Sequence, residues 1–201
     1  MRNYATANAE ANELVALANE KGALFWKALG VSVQGCILTL TGKSADAVQL
    51  ITSGINALRS TGSTLWMPLH LSYLARAYAE LGQFDNSLRC TVEGITAAET
   101  AKERWHEADV HRIAGEIALL LPESNAAGAK AYFERALAVA RQQQAKSWEL
   151  RAAMSMARMW RDQGKHQQAR DLLAPVYGWF TEGLDTLDLK EAKSLLHELA
   201  S

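Results

Sequence analysis

Three groups of residues have types and spacings that could carry chemistry. Gly42-Lys43-Ser44 has the ending of a phosphate-binding loop, in which backbone N–H groups wrap the phosphates, lysine reaches them and a hydroxyl meets magnesium. The loop needs another glycine five residues before the last one, but that position is Ile37, and Gly35 comes two residues too early. The preceding stretch also has helical rather than strand spacing. In "HEADVH", His106 and His111 stand five apart, with Asp109 between them. A helical zinc pair requires histidines four apart on one stripe, and no third ligand accompanies these. His70, His166 and His197 are scattered, and Cys36 and Cys90 are isolated. No Ser/His/Asp or Cys/His set has the order of an activated nucleophile. The sequence thus offers no catalytic residue, metal set or cofactor site, and no cofactor is expected.

Bulk properties narrow the classes further. With 21 basic and 22 acidic residues the formal net charge is −1, so no global field draws nucleic acid or an anionic membrane. Neither is expected as a partner. Lone cysteines without metal spacing imply reduced thiols and a cytoplasmic address. "MRNYATANAEANELVALANEKG" lacks the apolar run of a signal peptide. Nowhere is there a run of roughly 18–20 apolar residues that would span a bilayer. Three prolines among 201 residues leave room for long helices, because an interior proline costs about 3 kcal/mol. Apolar residues recur at three and four, not at two. The fold class is all-α.

The elements that would position these residues are repeats. Trp26, Trp66, Trp105 and Trp148 recur at intervals of about 40 residues. Nine residues after each comes a small one (Gly35, Ala75, Ala114, Ala157), then a bulky one three further on (Leu38, Tyr78, Ile117, Trp160). Gly42, Gly82, Leu121 and Gly164 follow, and a second small residue comes after them: Ala47, Ser87, Ala129 or Ala169. Each unit reads as helix, turn, helix. Glycine at the turn allows the left-handed conformation that ends a helix, so Gly42 is turn punctuation. The spacing predicts helices over 4–20, 23–41, 44–60, 64–81, 84–101, 104–121, 126–144, 147–163, 166–181 and 188–200. Asp188 and Glu191 are expected to cap the last of these. Its face of Leu189, Ala192, Leu195, Leu196 and Leu199 is expected to close the end of the stack. Pro175 should kink or end the helix before it, and Tyr177, Trp179 and Phe180 should form an aromatic plug.

The order small, bulky, glycine, small resembles the tetratricopeptide repeat. "YLARAYAELGQFDNSLRCTVEGI" carries it best, through Leu74, Ala75, Tyr78, Gly82 and Ser87, and "AKAYFERALAVA" matches a second helix. Gln34 and Leu121-Pro122 depart from the pattern, and the units run to about 40 residues instead of about 34. The resemblance implies one α-solenoid domain over 1–201 of about four and a half antiparallel hairpins. A truncated repeat (1–22) precedes repeats 23–62, 63–102, 103–145 and 146–183, and a capping helix occupies 184–201. A chain that opens halfway through a repeat reads as a piece of a larger protein. "LLAPVYGWFTEGLDTLDLKEAKSLLHEL" looks like the extreme C-terminus of bacterial multidomain regulators, which join a nucleotide cyclase, an AAA-type ATPase and a tetratricopeptide tail. No cyclase or ATPase motif is present from which a catalytic residue could be carried over.

In such stacks the first helix of each unit lines a concave groove. This register turns Ser32, Cys36 and Thr39, then Ser72, Arg76 and Glu80, then His111, Gly115 and Leu119 toward it. The last unit adds Arg151, Met154, Arg158, Arg161 and Asp162. Arg76 and Arg158 share a repeat position, and with Arg151 and Arg161 could grip carboxylates through bidentate hydrogen bonds. The opposing reading pairs these arginines with Glu80, Asp162 and their neighbours. The expected function is non-catalytic: a protein or peptide partner, acidic in character, binds the groove. One alternative is a small-molecule sensor near Cys36, His111 or Tyr177–Phe180. The other is a homodimer formed through Leu14, Val15 and Leu17 of the first helix.

Overall fold

A computed structural model describes residues 4–100, 104–122 and 125–200. Among these residues it contains ten α-helices and no strand. They are α1 (Tyr4–Glu20), α2 (Leu24–Leu40), α3 (Ser44–Ser60), α4 (Met67–Glu80) and α5 (Phe84–Thr100), then α6 (Glu107–Leu120), α7 (Ala126–Gln142), α8 (Lys146–Asp162), α9 (His166–Gly178) and α10 (Leu187–Glu198). The all-α expectation holds, and each predicted helix has its counterpart. No helix among the described residues is long and apolar enough to cross a membrane.

One turn geometry punctuates the chain. At Gly42, Gly82 and Gly164, φ is +77°, +71° and +73°. In each case the next N–H reaches back to the bulky repeat residue: Lys43 to the Leu38 carbonyl, Gln83 to Tyr78 and Lys165 to Trp160, at 2.8–2.9 Å. This double closure satisfies carbonyls that a helix end would otherwise leave open. The turns between units repeat it at Gly22, Gly62 and Gln144, the last of which adopts φ +54° without being glycine. The unit lacking a turn glycine does otherwise: Leu121 is extended, and the Asn125 side chain accepts from the Gly128 N–H to cap α7. Met67 begins α4 three residues later than predicted, because Trp66 takes a left-handed conformation ahead of Pro68.

The contacts divide the described helices into two compact units, α1 to α5 and α6 to α10. In the first, α2 packs on α1, α3 and α4, and α4 packs on α3 and α5. Its core gathers Ala28, Leu29, Ile51, Ile55, Leu58, Leu71 and Leu74. The crossing of α2 and α3 is tight: a Cβ on Gly35 would lie 2.9 Å from the Ile51 backbone nitrogen. No other residue fits there without moving backbone.

In the second unit α8 is central, packing on α6, α7, α9 and α10. Phe133, Leu150, Ala153, Ala157 and Leu173 fill its core. Gly115 is flat against the Phe133 ring, where a Cβ would meet Cζ at 2.9 Å. Of the apolar face expected on the last helix, Leu189, Ala192, Leu195 and Leu199 are buried and Leu196 is half-buried. Of the two outcomes expected at Pro175, a kink or an end, the end does not occur, since α9 runs on to Gly178. Pro175 and Asp171 are both exposed, so water can serve the carbonyl left without a donor. Asp188 does not cap α10, which begins at Leu187 after an extended Thr186. The aromatic plug is partial: Tyr177 and Phe180 pack on the core, but Trp179 is 58% exposed.

Within each unit the first helices of successive hairpins touch directly (α2 with α4, α6 with α8, α8 with α10), while second helices touch only first helices. All four small residues of the second helices, Ala47, Ser87, Ala129 and Ala169, are 0% exposed. They sit where a second helix meets its own first helix.

Candidate functional site

In each unit the residues that could do work lie on the first helices. On the α2–α4 side, Arg76 donates from Nε to Glu80 Oε1 at 3.0 Å, and Ser44 Oγ donates to Glu80 Oε2 at 2.5 Å. The Gly42-Lys43-Ser44 turn therefore spends its hydroxyl on a carboxylate, which disfavours a phosphate there. Cys36 and His70 are brought together, Sγ to Nδ1 at 3.7 Å, with both side chains buried. Sequence spacing gave no hint of this pair, since the residues lie 34 apart and hold different repeat positions. Burial pushes the Cys36 thiol up to about 12, so it stays protonated and is a poor nucleophile.

Several predicted groove positions do not face outward. Ser32 and Thr39 are buried and return their hydroxyls to the Ala28 and Gly35 carbonyls, and Ser72 does the same to Pro68. Gly115 and Met154 are buried too. His111 is buried, its ring stacked on Tyr132 at 6.5 Å. The second helices cover most of them: Ser32 lies against Gly54 of α3, Ser72 against Gly94 of α5, and Gly115 and His111 against Phe133 and Tyr132 of α7. Leu119 is half-buried and Asp162 exposed. On the first helix, Leu14 and Val15 are half-buried while Leu17 is exposed.

The arginines of α8 do reach the surface, and each is engaged. Arg151 donates to Asp188 at 2.7–2.8 Å and lies over the Trp148 ring, 4.9 Å from its centroid. Arg158 donates to Glu191 at 3.1 Å, and Arg161 to Asp162 at 3.0 Å and Glu198 at 2.6 Å. Hydrogen bonds to Asp162 and Glu198 raise the Arg161 pKa further. On the other flank of α8, Ser155 donates to Glu116, which with Asp109 also holds Arg112. The row is a ladder of alternating charge running from α6 through α8 to α10. The α10 carboxylates follow their arginines by 37, 33 and 37 residues. Aligning α10 with α8 as another first helix would have found them.

At the N-terminal ends of α6 and α8 the carboxylates are buried. Glu107 accepts from Arg104 at 2.7 Å and Arg135 at 3.3 Å. Glu149 accepts from Arg141 and Lys146 at 2.8 and 2.7 Å. Burial alone would raise the Glu149 pKa, but the two cations outweigh it and lower it. Between these sits His106, buried against Trp105 and 5.7 Å from the Trp148 ring centroid. Burial pulls its pKa down to about 4 against the opposing pull of Asp109, so the ring is neutral at pH 7. Among the described residues no hydrogen-bond partner meets either ring nitrogen, and no group of three His, Cys, Asp or Glu side chains could hold a metal ion.

No known family and no curated protein matches this chain.

Proposed function

We propose that this chain is a non-catalytic interaction module, a tetratricopeptide-like α-solenoid that offers the row of its first helices to a protein or peptide partner. The observation that carries this reading is the ordered polar ladder on that row. In the second unit Arg151, Arg158 and Arg161 stand half-exposed on α8 with their forks held by carboxylates of α10, and in the first unit Glu80 holds Arg76 on α4 in the same way. Side chains fixed in this way lose little rotamer freedom on binding. Repeats that contact only their neighbours generate extended surfaces suited to peptides. The buried thiol and the neutral buried histidine fit the same reading, since each is spent on packing. The tail's likeness to cyclase–ATPase regulators supports a regulatory setting inside a larger protein.

Peptide display against the full chain tests this. We expect acidic peptides to be enriched, and the enrichment to fall when Arg76→Glu and Arg158→Glu are introduced together. Enrichment indifferent to both substitutions, or directed to basic peptides, overturns the reading.

A further inference from the structure

In this structure an acidic amphipathic helix already occupies the α8 arginines: α10. Among the described helices it packs on α8 and α9 alone. Its apolar stripe is Leu189, Ala192, Leu195 and Leu199, and beside that stripe Asp188, Glu191 and Glu198 meet Arg151, Arg158 and Arg161. The connection from α9 is light. Thr181 to Thr186 are all exposed, and Gly183 takes φ +67°. The outward side of α10 is polar, with Lys190, Lys193, Ser194 and His197 exposed. A helix tied by an exposed connection to one groove, matched to it in charge and in apolar stripe, is a displaceable occupant.

We propose that the groove of α8 and α9 is the seat for an acidic amphipathic helix of a partner protein, and that α10 keeps this seat closed until such a helix displaces it. This rests on the binding-module reading and deepens it. The partner is specified by chemistry: leucine-type residues at i, i+6 and i+10 of a helix, with carboxylates at i−1, i+2 and i+9. Those are the offsets of Leu189, Leu195 and Leu199, and of Asp188, Glu191 and Glu198. Charge complementarity selects the partner, and the three arginines set its register.

The test uses the full chain with Asp188→Lys, Glu191→Lys and Glu198→Lys together, and a synthetic peptide of wild-type residues 185–200. Hydrogen exchange in α10 should quicken while α6 and α7 keep their protection. The peptide should bind this variant at least about tenfold more tightly than it binds the wild-type chain, the scale expected for three exposed ion pairs. Adding Arg151→Glu, Arg158→Glu and Arg161→Glu should remove that binding. Unchanged exchange in α10, exchange that quickens equally through α6 and α7, or peptide binding indifferent to the arginines each overturns the proposal. Wild-type chains that trade α10 between copies, seen as dimers in sedimentation, would give the seat to a second copy and also overturn it. Arg76 of α4 takes no part here. A display result that depends on Arg76 but not on α8 would thus separate failure of the clasp from failure of the binding module.

Discussion

Cys36 and His70 show how burial silences a reactive pair. The sulfur and the imidazole nitrogen meet at 3.7 Å inside the core, and with its pKa near 12 the thiol presents almost no thiolate at neutral pH. Cys90 is only half-buried, though burial and Glu93 raise its pKa too. An exposed-thiol reagent should therefore modify Cys90 first and Cys36 only as the chain unfolds, giving one modified thiol in native protein by mass spectrometry. Two thiols modified at equal rates would contradict the packing. His106 gives a pH dependence of definite sign. Its pKa is near 4 when folded, against about 6.5 in the unfolded chain. The unfolded state thus binds more protons between those values, and stability falls as pH drops from about 6.5 toward 4. The loss is on the order of 1–2 kcal/mol, discounted because Trp105 leaves the site partly open to solvent. Chemical denaturation of wild type and His106→Gln at pH 7 and pH 5 measures it, and the variant should show a smaller difference.

Among the elements, those set by local chemistry were legible in advance. A glycine four residues after the bulky repeat position ends the first helix, and the small residue that follows it marks a helix crossing, as the full burial of Ala47, Ser87, Ala129 and Ala169 shows. Ala129→Leu should destabilise by at least about 1–3 kcal/mol, since extra methylenes at a filled crossing force backbone shifts. A thermal melt unchanged by this substitution would show the crossing to be looser than described. Gln144 marks the reverse case, a left-handed turn without glycine. Replacing it with glycine relieves a Cβ clash of about 1–2 kcal/mol but adds freedom to the unfolded chain. The net expectation is a gain of about 0.5–1 kcal/mol, read as a higher midpoint in denaturant. What sequence could not supply was the capping of α10. Asp188 has the type and place of a cap, yet its carboxylate is taken by Arg151, a partner that only the packing of α10 beside α8 provides.

At the scale of the molecule, both compact units follow one plan, in which first helices touch one another and second helices support them from behind. The plan was legible because its period is written in tryptophans, small residues and glycines. The site was legible in part: Arg76, Glu80, Arg151, Arg158 and Arg161 reach the surface, while Ser32, Ser72 and His111 are covered by second helices and Cys36 by His70 of α4. A repeat offset gives a residue's angle on its own helix, but the closeness of the next helix decides whether that angle sees water. The central claim is that the row of first helices is the working surface. Its most direct measurement is the affinity of the full chain for its selected acidic peptide after charge reversal on each side of the hairpins. Arg76→Glu with Arg158→Glu should weaken binding at least about tenfold. Arg89→Glu with Arg170→Glu, on exposed faces of the second helices α5 and α9, should leave it within about twofold. Loss of binding on the second-helix side with the first-helix side indifferent would contradict the account.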